Sequence, residues 1–352
     1  MTSCPVPENL DIHIAHHIQD ISPETWQRYD SGQPFCSHAW YRFVERVLPC
    51  YRPLYLLADC DDQPAGRATF WVVHDEPLPV PPPARRVLDG LIRRWPLLVC
   101  RSPIADAGGI SLAPGAPTAA TLQTLFAAAG RCLTEQRGSF LIFDFVPEAL
   151  LDLSWPSQLA RARVSDPGTL LELENDNFED YLKHLTRPAY KDYRRHRNQA
   201  ERLGIQIVAR RQPESIAEAL PLIRSVERRH GSAPKPWAPD LLAAAGQADA
   251  TWLEARIGPR LVGCGLLLRD GPTQMMTLLG LDDTVEYVYF QLVYAAIRCA
   301  CEHNVRWLRG GSGAYELKKR LGFRLENDNS IFFSGRGGLL QTVGRWLSAK
   351  IL

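Results

Sequence analysis

The sequence predicts an α+β protein made of two successive units, each a mixed sheet flanked by helices. Three observations carry this. The 352-residue length suits two domains at about 150 residues each. Hydrophobic residues at 45% and charged residues at 22% describe an ordinary globular chain. Both halves also run through a similar order: strand, helices, antiparallel strands, apolar helix, strand, helix, strand. The expected divisions are a first, less regular unit over 1–164, a second over 165–335, and an amphipathic C-terminal helix over 336–352.

In the first half, Ser37 is a natural N-cap for a helix whose Trp40, Phe43, Val44 and Leu48 share a face. Strands are expected at 54–58 and 67–73, joined by Asp61-Asp62-Gln63-Pro64-Ala65-Gly66. The run 77–83 holds five prolines and reads as an extended connector, not a helix. Residues 84–100 carry Arg85, Arg86, Arg93 and Arg94 among leucines, an amphipathic pattern. A turn at Ala107-Gly108-Gly109 leads into a strand, followed by an Ala/Leu-rich helix at 117–136 and an apolar strand at 140–146. His38, Trp40 and the turn 102–109 could face a cleft, but a capped helix and a turn are their ordinary roles.

The second half opens with a strand at 169–173, a helix from about 176 and a basic helix over about 188–203, which Gly204 closes. A strand at 205–209 and a helix at 214–230 follow. Segments 252–256 and 261–269 form a hairpin around Gly258-Pro259, with a third strand at 275–281. The stretch 285–303 is apolar almost all round and should be a buried helix. A short strand at 306–309, the loop Gly310-Gly311-Ser312-Gly313, a helix from Tyr315 and a strand at 330–333 complete the unit. In the C-terminal helix, Leu340, Val343, Trp346, Leu347, Ile351 and Leu352 lie among Arg345 and Lys350, a face that could touch a membrane surface but ordinarily packs on the domain or a dimer partner.

Forty Lys+Arg against 39 Asp+Glu leave a net charge of +1, so any basic surface must be local. DNA is not an expected partner. No apolar run reaches the ~18 residues a spanning helix needs, so no integral membrane association is expected. The first twenty residues lack the order of a signal peptide, and a cytoplasmic location is expected. Nine cysteines, odd in number and without a Cys-x-x-Cys pair, support neither a disulfide framework nor a zinc site, and no metal is expected. Gly-x-Ser-x-Gly, His-Glu-x-x-His and phosphate-binding P-loop motifs are absent.

Two stretches are recognisable. The run from Tyr190-Lys191-Asp192-Tyr193-Arg194-Arg195-His196-Arg197 to Gly204-Ile205 resembles the basic helix that opens the acyltransferase domain of FemABX-like (BioF2-like) members of the GNAT superfamily. The stretch 289–300 is similar to that branch's buried helix, and 310–323 to its closing Gly-x-x-x-Tyr-x-x-Lys-x-x-x-Gly-Phe segment. The resemblance covers about 165–335. It implies tandem GNAT-like units, the first degenerate, and an acyltransferase that forms an amide by direct attack of an amine on an activated carbonyl, without a covalent enzyme intermediate. It also implies an oxyanion-binding backbone N–H near 277–280.

One departure matters. The segment Gly280-Leu281-Asp282-Asp283-Thr284-Val285-Glu286 lacks the glycine-rich pyrophosphate loop of CoA-dependent members and carries three carboxylates. Two co-substrates therefore stay open, acyl-CoA and aminoacyl-tRNA. The acceptor is a small-molecule or peptide amine, tRNA is a candidate partner, and the chain is a monomer or dimer. A non-catalytic GNAT pair that holds tRNA or a precursor is the rival reading.

The candidate site residues follow from the chemistry of positioning, deprotonation and charge stabilisation. Lys191, Arg194 and Arg195, with Lys183, Arg187, Arg197 and Arg202 nearby, form stripes that could cradle an anion; their ordinary reading is a solvated face. Lys318, matched by the closing motif, would bind a carboxylate or phosphate, and Tyr315 would donate to a leaving group. Glu227, His230, Asp282 and Asp283 are the candidate bases, with Tyr289 as a further candidate.

Overall fold

The computed structural model describes residues 10–75, 82–174, 177–326, 329–338 and 340–342. The chain divides into two compact units, one of residues 1–165 with 328–352 and one of 166–327.

The first unit contains strands β1 (Leu10–Ala15), β2 (Arg52–Cys60), β3 (Gln63–Val73), β4 (Leu97–Ser102), β5 (Ala107–Gly108), β6 (Ile110–Leu112), β7 (Phe140–Phe143) and β8 (Ala160–Ser165). Its helices are α1 (Pro23–Gln27), α2 (His38–Val47), α3 (Pro82–Arg94), α4 (Thr118–Glu135) and α5 (Glu148–Leu151). One further strand, β16 (Asn329–Gly335), is the sixteenth along the chain. The sheet runs β1-β2-β3-β4-β7-β16-β8, with β4 and β7 parallel and the other pairs antiparallel. Helix α4 supplies Leu122, Leu125, Ala128 and Leu133 to one core, against Leu56, Phe70, Leu98 and Phe143. Ser37 caps α2 through Trp40 N–H at 3.0 Å, as expected. His38 Nε2 meets the carbonyls of Ile18 and Ile21, and Trp40 Nε1 donates to Ser102 Oγ at 2.8 Å, so these residues and the 102–109 turn are packing elements.

The parallel pair of this unit is closed. Pairing of β4 and β7 continues through Cys100↔Phe143, and Asp144 N–H donates to Cys100 O. Beyond it, β5 pairs with Arg101 and Ser102, and a Cβ on Gly108 would lie 2.6 Å from Phe145 O. A side chain there would force β5 out of its slot.

Three expectations need amending. Pro82 and Pro83 begin helix α3, where the missing N–H groups are unpaired in any helix; residues 77–81 lie outside the described residues. The last strand, expected in the second unit, pairs with β7 and β8 of the first. Of the expected C-terminal helix, 338 and 340–342 are helical and 343–352 lie outside the described residues.

The second unit runs β9 (Thr169–Glu172), α6 (Phe178–His184), α7 (Arg187–Arg202), β10 (Ile205–Arg210), α8 (Ile216–Arg229), α9 (Ala238–Ala244), β11 (Ala250–Ile257), β12 (Arg260–Asp270), β13 (Thr273–Leu281), α10 (Val288–Glu302), β14 (Trp307–Arg309), α11 (Tyr315–Arg320) and β15 (Arg324–Leu325). The sheet order is β10-β11-β12-β13-β14-β9-β15. Helix α10 is buried as its composition predicts: Val288, Leu292 and Ala296 pack on Leu253, Val262 and Leu267, while Ile297 and Ala300 face Leu171 and Leu308. Gly263 makes that approach feasible, because a Cβ there would collide with Val288.

Candidate functional site

Strand β13 is paired with its parallel neighbour β14 only at its start, Thr273↔Trp307 to Met275↔Arg309. From Met276 to Leu281 that edge has no strand partner among the described residues, and the sheet opens. On the other edge the register with β12 slips between Leu266↔Thr277 and Cys264↔Gly280. Two residues, Leu278 and Leu279, therefore stand opposite Gly265. This is a β-bulge, with Leu278 at φ 47°, and a bulge bends and twists its strand. The bulge falls within 277–280, the place expected for an oxyanion-binding backbone.

The loop leaving β14 carries left-handed residues at Gly311 (φ 67°), Gly313 (φ 82°) and Ala314 (φ 48°). Lys318 holds it: Nζ donates to the carbonyls of Gly310 (2.7 Å), Gly311 (3.0 Å) and Ser312 (3.4 Å). The side chain is 3% exposed, and burial lowers its pKa to about 8, with Glu326 opposing the fall. Its donors are thus committed to the loop and not offered to a ligand phosphate, because three convergent carbonyls solvate the ammonium. Tyr315 is similarly engaged, its hydroxyl donating to Pro167 O at 2.8 Å.

A cavity of about 370 Å³ lies at the C-terminal end of β13, with Arg229, Asp282, Asp283, Tyr287, Tyr289 and Phe290 among its walls. Asp282 accepts from Thr284 N–H (2.9 Å) and Oγ1 (2.6 Å) and pairs with Arg260. The Thr284 hydrogen bonds, then Arg260, hold its carboxyl below the usual range. Asp283 pairs with Arg229 and accepts from Ser225 Oγ at 3.1 Å. The N-cap of α10 is Tyr287, at φ 67°, with no side-chain cap. These residues do not fit a pyrophosphate: no glycine lets it approach the first N–H groups of α10, and the Asp282 and Asp283 carboxylates, each paired with an arginine, stand at that mouth. Burial pushes the Tyr289 hydroxyl up to about 12, so it stays protonated and can donate but not act as a base near neutrality.

Helix α7 is two-faced. Thr186 caps it, and Ala189, Tyr193, His196 and Ala200 point inward. Outward, Arg195 pairs with Asp192 (3.0 Å) and Arg197 with Glu201 (2.8 Å). Arg187, Lys191, Arg194 and Arg202 have no acidic partner among the described residues. The inward His196 is 5% exposed, with Nδ1 2.9 Å from Tyr294 Oη and Nε2 3.3 Å from the Arg195 guanidinium. A guanidinium only donates, so Nε2 is the acceptor and Nδ1–H donates to Tyr294. The ring lies 3.8 Å from that of Phe290 and 5.9 Å from that of Tyr287, which ties α7 to the cavity wall. Sequence reasoning passed over His196, although the spacing 189, 193, 196, 200 marks an inward stripe.

Two of the expected bases, Glu227 and His230, are elsewhere. Glu227 is 7% exposed and locked, accepting from Arg224 Nη1 (2.6 Å) and Lys235 N–H (3.1 Å), so it fastens the 231–236 loop. His230 is the exposed C-cap of α8. Neither lines the cavity, although Arg229 between them does.

An opened parallel pair, a bulged central strand and a buried helix following it define the class: an acyltransferase fold of the GNAT type. Residues 187–319, within the second unit, match the acetyltransferase (GNAT) domain family. The fold is similar to that of FemX (TM-score 0.63, 10% identity, 94% of this chain and 99% of that one). It is also similar to a tandem GNAT protein from the clavulanic acid biosynthesis pathway, without AcCoA (0.57, 12%, 94% and 99%). L-PGS from Bacillus licheniformis shares it too (0.50, 13%, 94% and 96%). No curated protein matches the chain in sequence. Among the described residues no helix is long and apolar enough to cross a membrane, and no cluster of side chains could hold a metal ion.

Proposed function

We propose that the protein transfers an aminoacyl group from aminoacyl-tRNA to the amine of a small molecule or peptide. The carrying observation is the start of α10, where Asp282 and Asp283 stand in place of a glycine cradle, beside a helix with four unpaired cations. Acyl-CoA would bring its pyrophosphate to that acidic mouth. A tRNA brings its phosphates to Arg187, Lys191, Arg194 and Arg202, with Arg195 at the flank, and its aminoacyl end, an ester beside an α-ammonium, enters the cavity.

In this reading the acceptor nitrogen attacks the ester carbonyl, a C–N bond forms, and the C–O bond to the ribose breaks. The acceptor ammonium first releases one proton to solvent to become the attacking amine; the nitrogen loses a second after attack, and the ribose oxygen takes up one proton and leaves as a hydroxyl. The bulged backbone at 277–280 stabilises the oxyanion and Tyr289 donates a hydrogen bond. Lys318 and Tyr315 act indirectly, by fixing the loop across the opening.

The test offers the protein an amine with either charged tRNA or acyl-CoA and reads the product by mass. The expected result is amide from the tRNA arm alone. Binding of tRNA should weaken log-linearly with salt, with a slope that falls by about 0.7–0.9 for each cation removed, as in Lys191→Gln and Arg194→Gln. Product from acyl-CoA alone, or a flat salt response, overturns the reading.

A further inference from the structure

Helix α3 and the residue after it present a surface that acyl transfer does not use. Ile92, 5% exposed, anchors the helix to the first unit, and Trp95 O accepts from Ser139 Oγ at 2.9 Å. One turn apart, Leu91 and Trp95 are 44% and 41% exposed, and Trp95 N–H donates to Leu91 O at 2.8 Å. Arg86, Arg93 and Arg94 are exposed and have no acidic partner among the described residues. The Arg94 guanidinium lies 5.8 Å over the Trp95 ring. Across 84–95 the sequence sets four arginines against Asp89 alone, in a chain whose net charge is +1. This helix is thus locally cationic.

We propose that α3 docks the protein on an anionic lipid bilayer. Leu91 and Trp95 enter the boundary between headgroups and acyl chains, while Arg86, Arg93 and Arg94 meet lipid phosphates. Among the described residues this surface offers two exposed apolar side chains, short of the roughly 800 Å² per partner of a stable protein interface. A bilayer needs no matching shape: an indole settles at headgroup depth, and arginine stems lie along the apolar boundary with their charge outward. The charge sign selects the lipid, because the anionic leaflet rewards each nearby cation.

The experiment sediments the full chain with vesicles of phosphatidylcholine containing phosphatidylglycerol, with vesicles of phosphatidylcholine alone, and in parallel passes it over immobilised polyglutamate. Co-sedimentation with the phosphatidylglycerol vesicles only, weakening with salt, is expected. Arg93→Gln and Arg94→Gln should each lower partitioning by about five-fold. Trp95→Ser should lower it too, and the two arginine variants should keep the parent melting temperature because their side chains are exposed. No sedimentation, equal sedimentation with both vesicle types, variants that bind like the parent, or retention on polyglutamate without vesicle binding would each overturn the proposal.

Discussion

Replacing Lys318 with methionine keeps most of the aliphatic stem and deletes the ammonium that gathers the carbonyls of Gly310, Gly311 and Ser312. Two of those bonds are short, and hydrogen bonds from a charged donor contribute roughly 1.5–3 kcal/mol each. Opposing them, the fall of the amine from 10.5 to about 8 represents about 3 kcal/mol of penalty on the buried charge. The difference leaves a net loss of about 0–3 kcal/mol for Lys318→Met at pH 7, read as a lower urea midpoint. Amide exchange through Gly311–Tyr315 should quicken as the loop loses its tie. The pH dependence supplies a sharper mark. Between about 8 and 10.5 the unfolded chain binds a proton that the folded chain has released, so parent stability rises with pH across that window. The methionine variant lacks this rise, and the gap between the two should widen. Equal midpoints at pH 7, together with parallel curves above pH 8, would refute the assignment of Lys318 as the loop's staple.

Three further outcomes are expected. His196→Phe should cost about 1 kcal/mol by leaving Tyr294 Oη without its donor. Because burial, then Arg195, lowers the His196 pKa below 6.5, the parent should hold this contribution above about pH 6.5 and lose it as pH falls, whereas melting of the variant should be flatter there. Gly263→Ala should destabilise the second unit by about 1–3 kcal/mol, seen in urea unfolding, because its methyl group meets Val288 and Leu292. Glu227→Gln should lower stability through Arg224 while leaving kcat of the folded enzyme near the parent value; a collapse of kcat at unchanged stability would restore Glu227 as a base.

Much of the fold is legible where signals are local. Ser37 and Thr186 cap helices, Gly204 at φ 71° ends α7, and Gly258 at φ 56° turns the 250–270 hairpin. What stayed hidden depends on partners distant in sequence. Ser330–Phe333 reads as a strand, but nothing in its alternation says which sheet will accept it. The site divides in the same way. The acidic mouth and the cationic helix are written as consecutive residues and could be read directly. The locking of Glu227 by Arg224 and the Lys235 backbone, and the burial of Lys318 under its own loop, are tertiary events. His196 was a missed inference, because its charge-rich neighbours masked the inward stripe.

The pairing of Asn329 with Ser165 means that the whole of 166–327 is an insertion between two hydrogen-bonded strands of the first sheet. Strand β16 lies between β7 and β8, so that sheet lacks an interior member until the ribosome has released residues near 335. During synthesis the inserted unit can finish folding first, while the earlier-made half waits with β7 unpaired on one edge. Chaperones that shield open strand edges would therefore be expected on the nascent N-terminal half, and a truncation after 327 should spoil the unit that was translated first.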